Sequence, residues 1–331
     1  MGNLSIRRVL VTGASGKLGR AIAQALVGAG YHVRALQHRA PVRVNGVELW
    51  PGSVTDAQSM RLAITGIDAV CQLATTKEDR ETFFDVSVRG TLNLLEACRE
   101  SGQVKQFLLS GGDAAMGIWF YPQPTPINEA MPLRAYPGYY AFTKVMEEVM
   151  CQQYSIQYGL PYTCLRASWV FAENDILKHL SLTRAVDPDR PTVSSWDEFL
   201  SDEHRQLIAR GEDRIPILVN NEGVPYRRHI VHIDDVVQAW MLALDNPAAV
   251  GHTFHIAAPS AFSYDQAACY LSKKNGVPTT ELYAPGYHSF EIDINRARSV
   301  LGYHPQHDIY GIIDAAVTFE RGLRSCPGDR Q

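Results

Sequence analysis

The chain has 331 residues, room for about two domains or one elaborate one at roughly 150 residues apiece. Apolar residues make up 46% and charged residues 20%, enough to bury a large core and too few charges for a disordered chain. The 31 basic and 35 acidic side chains leave a net charge of −4 with no basic block, which argues against a nucleic-acid or membrane-surface partner. No apolar run approaches the roughly 18 residues of a membrane helix. The opening Met1-Gly2-Asn3-Leu4-Ser5-Ile6 runs into a strand-like segment without a signal-peptide pattern, and Ile6 stands where myristoylation wants Ser or Thr. Six scattered cysteines, mostly within apolar segments, read as reduced core thiols of a cytoplasmic globular protein.

In chain order, Arg8–Thr12 is a buried strand, followed by a glycine-rich turn and an Ala-rich helix over about 18–29. Strands follow at Tyr31–Leu36 and Val47–Trp50, and Asp56 caps the next helix. Asp68–Leu73 is a fourth strand. A long helix covers about 82–101 and ends at Gly102. Gln106–Ser110 is a fifth strand, 138–158 a helix and Tyr162–Phe171 a sixth strand. This alternation predicts an α/β fold, a doubly wound parallel sheet of Rossmann type with ligand at the strands' carboxyl ends. The rhythm breaks over 172–229, which holds Pro188, Pro191 and the Trp196-Asp197-Glu198 cluster, and returns with Ile230–Ile233, a helix over 234–244 and Thr253–Ile256. The expected organisation is a cofactor domain of 1–171 plus 230–258, and a smaller interleaved substrate lobe of 172–229 plus 259–331.

Thr12-Gly13-Ala14-Ser15-Gly16-Lys17-Leu18-Gly19 lies between the first strand and first helix, where a dinucleotide site requires it. Gly13 permits the turn, Gly16 lets backbone approach a pyrophosphate, and Gly19 lets helix pack on strand. The helix N-terminus offers free N–H groups to phosphate. Further on, Tyr140 and Lys144 stand four residues apart on one helix face. An ammonium beside a phenol, together with a nicotinamide's positive charge, is expected to bring the phenol's pKa toward neutrality, so that it exchanges protons with a substrate hydroxyl or carbonyl.

The Gly-x-x-Gly-x-x-Gly spacing and Tyr-x-x-x-Lys resemble the short-chain dehydrogenase/reductases. Gly66–Ala74, Gly90–Cys98, His232–Val236 and Ile292–Arg298 with Leu301–Pro305 extend the resemblance over most of the chain. It points to the extended branch of that family, which includes nucleotide-sugar epimerases, sugar dehydratases, uronate dehydrogenases and dihydroflavonol-type reductases. The resemblance implies that Ser15, Lys17, Leu18, Leu73, Ala74 and Thr75 lie along the cofactor with the three glycines, that Lys144 also reaches the nicotinamide ribose, and that two long helices pair in a homodimer. Where the family carries a catalytic Ser or Thr at the end of strand five, this chain has Gly112, with Ser110 and Asp113 on either side as candidates to supply the missing hydrogen bond. Asp113 matches the Asp of sugar dehydratases, but Ala114 stands where their Glu belongs, which disfavours dehydration.

NAD-preferring members end strand two in an acidic residue. Here Gln37 is followed by His38 and Arg39, so NADP is expected over NAD, with Lys17 adding positive charge. Arg228 matches the arginine that epimerases place on a diphosphate, yet Trp169 replaces their asparagine and weakens a nucleotide-sugar reading. Trp119, Phe120 and Tyr121 either line the substrate pocket or pack in the core. His229 and His232 point to opposite faces of a strand, so no shared metal is expected. The expected protein is an NAD(P)-dependent oxidoreductase acting on a secondary alcohol or carbonyl, of a sugar or sugar acid. A sugar epimerase is the alternative enzyme, and a non-catalytic cofactor-binding member the alternative outside enzymes. The second long helix carries Val145, Met146, Val149 and Met150 as a buried stripe, with Tyr139, Phe142 and Met146 available to a second subunit.

Overall fold

The computed structural model describes residues 3–185 and 196–325; Pro188, Pro191 and Cys326 lie outside them. The elements that build the site are β1 (Arg8–Val11), α1 (Lys17–Gly28), β2 (His32–Gln37), β3 (Glu48–Pro51), α2 (Ala57–Ile64), β4 (Ala69–Gln72), α3 (Gly90–Ser101), β5 (Gln106–Gly112), α4 (Tyr139–Tyr158), β6 (Tyr162–Ala167) and β7 (Trp169–Phe171). Strand His252–Ile256 forms one edge of a seven-stranded sheet, followed in space by β6, β5, β4, β1, β2 and β3. Every pairing in it is parallel. The order reverses direction at β1 and β4, the switch point at which such sheets bind ligands.

The period of two along a strand divides the core between the faces of the sheet. Val9 and Val11 pack with Ile22, Leu26 and Trp240 on one face. Leu10 packs with Met60, Ile64, Leu94 and Phe107 on the other. Asp56 accepts a hydrogen bond from Gln58 N as the cap of α2. Gly102 ends α3 at φ 60°, in the left-handed region where a Cβ would be strained.

Four expectations are corrected. The single strand expected over 162–171 breaks at Ser168: β6 stays in the main sheet, while β7 pairs in parallel with Ile230–His232 in a separate two-stranded sheet. The strand at 230–232 therefore lies outside the main sheet, although Thr253–Ile256 is in it. The helix over 82–101 begins as a π-helical stretch, Phe84–Arg89, before it becomes α3. Cys71, Cys98, Cys151 and Cys164 are buried free thiols, but Cys269 is exposed.

The fourth correction concerns α4. Its fully buried residues are Ala141, Thr143, Lys144, Glu147, Glu148 and Cys151. The expected buried stripe is instead turned outward: Val145, Met146 and Met150 are half-buried and Val149 is exposed. Hydrophobic spacing predicts the inner face only when the inner face is apolar. Here it carries charge, and each charge has a partner. Glu148 receives Arg166 through two bonds, Nε to Oε2 at 2.8 Å and Nη2 to Oε1 at 2.7 Å. Thr253 Oγ1 also donates to Glu148. Lys144 Nζ donates to Glu147 Oε2 at 2.8 Å.

Candidate active site

The carboxyl end of β1 turns sharply at Gly13, whose φ is +66°. A Cβ there would lie 2.8 Å from the backbone of Leu73 and Ala74. A Cβ on Gly19 would lie 2.2 Å from Gly13 O, so helix and turn touch backbone to backbone. Both are distances that no side chain survives. Thr12 Oγ1 fixes the neighbouring crossing by accepting from Leu73 N and Ala74 N and donating to Gln72 Oε1. The glycine turn and the end of β4 thus form one wall of a cleft at the N-terminus of α1, a cradle shaped for a pyrophosphate.

That cleft opens into a cavity of about 1020 Å³. Gly13, Ser15, Gly16, Lys17, Leu18, Gly19, His38, Arg39, Leu73, Ala74 and Thr75 line its cofactor end. Ser110, Asp113, Trp119, Tyr140, Lys144, Trp169 and Arg228 line its other end. The residues predicted from separated segments converge on one cavity. Phe120 joins its lining. Tyr121 instead packs its ring against the Arg134 guanidinium at 4.0 Å.

Lys17 lines the cofactor end of the cavity and its ammonium pairs with Asp175. Gln37 Oε1 accepts from Val42 N, folding the side chain into its own loop. His38 and Arg39 meet no carboxylate among the described residues.

Tyr140 and Lys144 sit on the first two turns of α4, whose N-terminus is held by Glu78, accepting from Tyr139 N and Tyr140 N. The Lys144 ammonium lies 5.5 Å from the Tyr140 ring centre. Nζ also donates to Ser110 O at 2.9 Å, so Ser110 enters the site through its carbonyl. A Cβ on Gly112 would stand 3.5 Å from Tyr140 Oη, ordinary contact distance. The hydroxyl that the family places here is thus absent, although a Cβ would fit beside the phenol. The expected lowering of the phenol is not produced by these residues: burial pushes Tyr140 above its ordinary value and outweighs the pull of Lys144. Burial also works against the Lys144 ammonium, but Glu147 and Tyr140 more than compensate and hold it above its usual range.

Asp113 follows Gly112 and is held by Ser168. Ser168 Oγ lies 2.8 Å from both Asp113 Oδ2 and His229 O. A hydroxyl has one proton to give, so both contacts are hydrogen bonds only when Asp113 carries a proton of its own. Burial raises the Asp113 carboxyl from 3.8 to about 6, with Ser168 and Arg228 opposing.

Arg228 closes the far end. Its guanidinium lies 4.0 Å from the Trp169 ring and 4.9 Å from that of Trp119, and its Nε is buried without a hydrogen-bond partner. Trp119 is itself buried and stacks on Tyr287 at 4.8 Å, so it is both core and lining. His229 is a satisfied core histidine between Ile292 N and Ala258 O. His232 caps the helix Ile233–Ala243 and brings a ring nitrogen within 4.8 Å of ligand atoms of Asp234 and His307.

Sequence reasoning missed Ser168, Tyr287, Trp196 and Glu147. The first three line the cavity from the β6–β7 break and the second lobe, where no local pattern signals them. Glu147 sits three residues after Lys144, a helical spacing that pairs side chains, and this signal was available.

A sequence profile of the NAD dependent epimerase/dehydratase family matches residues 9–257. The chain belongs to that family. UDP-glucose 4-epimerase of Mycolicibacterium smegmatis is 26% identical over 338 residues, covering 95% of this chain and 98% of that one. Dihydroflavonol 4-reductase of Hordeum vulgare is 23% identical over 268 residues, 73% of this chain and 68% of that one. A short-chain dehydrogenase/reductase superfamily protein from Agrobacterium tumefaciens, solved with bound NAD, superposes with a TM-score of 0.84 at 25% identity, covering 98% of this chain and 100% of that one. The chain is thus an NAD-dependent enzyme of the extended short-chain dehydrogenase type, with the glycine cradle at the position its chemistry requires.

The raised Asp113 carboxyl has a consequence for stability. A group bound more tightly by a proton in the fold contributes fully below its unfolded pKa and loses that contribution as pH rises through about 6. Asp113→Asn, which cannot ionise, should therefore gain thermal stability over the parent as pH rises from 3.8 to 6. A constant difference between the two melting curves across that window would contradict the assignment.

Proposed function

We propose that this family member is an oxidoreductase that interconverts a secondary alcohol and a carbonyl on a sugar or sugar acid, with Tyr140 moving the proton. The observation that carries the reading is that Tyr140 and Lys144 face the same cavity as the glycine cradle. Bound nicotinamide supplies or accepts the hydride. Tyr140 Oη holds or gives the proton at the substrate oxygen, beside Gly112. Lys144, with two of its three ammonium protons held by Glu147 and Ser110 O, keeps a third for a cofactor ribose hydroxyl or the phenol. Asp113, whose carboxyl burial raises to about 6, is placed to hydrogen-bond the substrate where the family uses a Ser or Thr.

The substrate class follows from the far end of the cavity. Aromatic faces at Trp119, Trp169 and Tyr287 suit the apolar face of a sugar ring, and the unpartnered Nε of Arg228 suits a carboxylate or other oxygen-rich group. The cofactor end favours NADP: no carboxylate stands at the end of β2 to repel a 2′-phosphate, and His38 and Arg39 line the cavity there. Lys17, paired with Asp175, lines the same end and belongs to that reading.

We also place a second subunit on α4. The helix turns its charge inward and leaves Tyr139, Phe142 and Val149 exposed, and Phe84 and Leu92 are exposed on the neighbouring helix. This inverted pattern supports a homodimer through the paired helices.

Three outcomes are expected. Tyr140→Phe should lose turnover by about 10²–10⁴-fold while NADPH titrates normally, since only a proton carrier is removed. Near-parental turnover against a panel of sugars and uronic acids would end the mechanism. Calorimetric titration should show NADPH binding tighter than NADH, with Arg39→Ala losing roughly five- to tenfold in NADPH affinity and little in NADH; equal affinities in the parent would reverse the cofactor assignment. Light scattering at micromolar concentration should report twice the 36.8 kDa of one chain, and a monomer there would remove the dimer.

A further inference from the structure

Glu147 is a carboxylate buried behind the proposed proton carrier. Its side chain is 1% exposed and that of Lys144 is 3% exposed. Oε2 takes the Lys144 ammonium at 2.8 Å, while Oε1 is buried with no hydrogen-bond partner among the described residues. A buried carboxylate that leaves one oxygen unpaired costs stability.

The groups around the pair leave it electrically isolated. On its own helix Glu147 faces Lys144, Tyr140 and Cys151. From β6, Cys164 faces Lys144, and from α3, Cys98 faces Cys151. All three of these thiols are held above their ordinary range by burial, so they are neutral at physiological pH. Asp113, on the turn after β5, and Glu78, from the loop after β4, face Tyr140. Glu148 is turned to Arg166 and is neutralised there. The charge that Tyr140 feels from α4 is thus set by Lys144 together with Glu147.

We propose that Glu147 is a positioning residue that fixes the Lys144 ammonium and offsets its charge, so that Lys144 orients without strongly acidifying Tyr140. The inference rests on the reading of Tyr140 as the proton carrier. It goes beyond that reading by assigning a tuning role to a carboxylate that touches no substrate. Holding Nζ between Glu147 Oε2 and Ser110 O sets its direction. The field of the ion pair at the phenol is that of a dipole and not of a lone cation, and a dipole's field falls away faster with distance. The consequence is a site at rest that keeps Tyr140 protonated, as an acid ready to donate. The positive charge needed to ionise the phenol then has to arrive with the oxidised cofactor.

The test reads Tyr140 directly in the cofactor-free protein. Tyrosinate absorbance is titrated in the parent and in Glu147→Gln, each against the same protein carrying Tyr140→Phe, so that the difference isolates one phenol. Gln keeps the shape and a carbonyl for Nζ but removes the charge. Tyr140 should then ionise at a pH lower by about one unit, alongside the loss of melting temperature that an unpaired Lys144 ammonium brings. Coincident titrations, or a shift upward, would overturn the proposal, as would a loss of stability without a shift. If Glu147→Gln does not fold, Lys144→Gln is compared with the double variant Lys144→Gln, Glu147→Gln. Loss of the carboxylate should again lower the Tyr140 titration, and no difference between them overturns the inference. The readout needs no substrate, so failure of the catalytic reading shows separately, as turnover surviving in Tyr140→Phe.

Discussion

The site depends on a helix that buries its charges. Lys144, Glu147 and Glu148 occupy the inner face of α4, where a sequence of this kind ordinarily places Leu and Ile. Removing one partner from such a pair costs about 3–5 kcal/mol, because the other is left buried and uncompensated. The Arg166–Glu148 pair therefore ties α4 to β6 in one register. Through that register it sets where Tyr140 stands relative to the end of β5. A slip of α4 by one residue would rotate the phenol by about 100° away from the cavity.

The same constraint explains the outer face. With charges inside, the apolar residues of α4 have nowhere to go but outward, and Phe142 is 46% exposed. The buried charges beside Tyr140 and the exposed apolar outer face of α4 are two results of one inversion of polarity. On the other side of the sheet's switch point, the glycine turn works by having no side chains. Backbone approaches backbone at Gly13 and Gly19, and the cleft is shaped by the ends of β1 and β4 rather than by any residue's reach.

The first half of the chain was legible because its period is legible. Strands of four to seven residues alternated with capped helices, and the glycine turn and Tyr140–Lys144 stood at spacings that local geometry enforces. Three things were hidden for physical reasons. The break at Ser168 was not visible because no Gly or Pro marks it between β6 and β7, and only tertiary pairing with Ile230–His232 separates them. The inner face of α4 was misread because a hydrophobic pattern cannot report a core held by ion pairs. What the sequence does not show is the burial around Tyr140, which in the protein alone outweighs the pull of Lys144. Tyr287 and Trp196 come from irregular segments, and only the fold brings them to Trp119 and Trp169.

Gly112 and Asp113 show how the site accommodates a lost hydroxyl. A Cβ at 112 would meet Tyr140 Oη and Lys144 Cγ at 3.5 and 3.8 Å, ordinary contact distances. With glycine there, no hydroxyl stands beside the phenol to compete for a substrate oxygen. On the reading proposed here, the nearest remaining polar group is the Asp113 carboxyl, held 2.8 Å from Ser168 Oγ. Burial raises that carboxyl to about 6, whereas a serine hydroxyl would not titrate at all. Substituting an ionisable acid for a fixed hydroxyl couples substrate binding to pH, and Arg228 across the cavity favours the ionised form. An anionic substrate group that takes the charge of Arg228 withdraws that support, so its binding and the protonation of Asp113 reinforce each other.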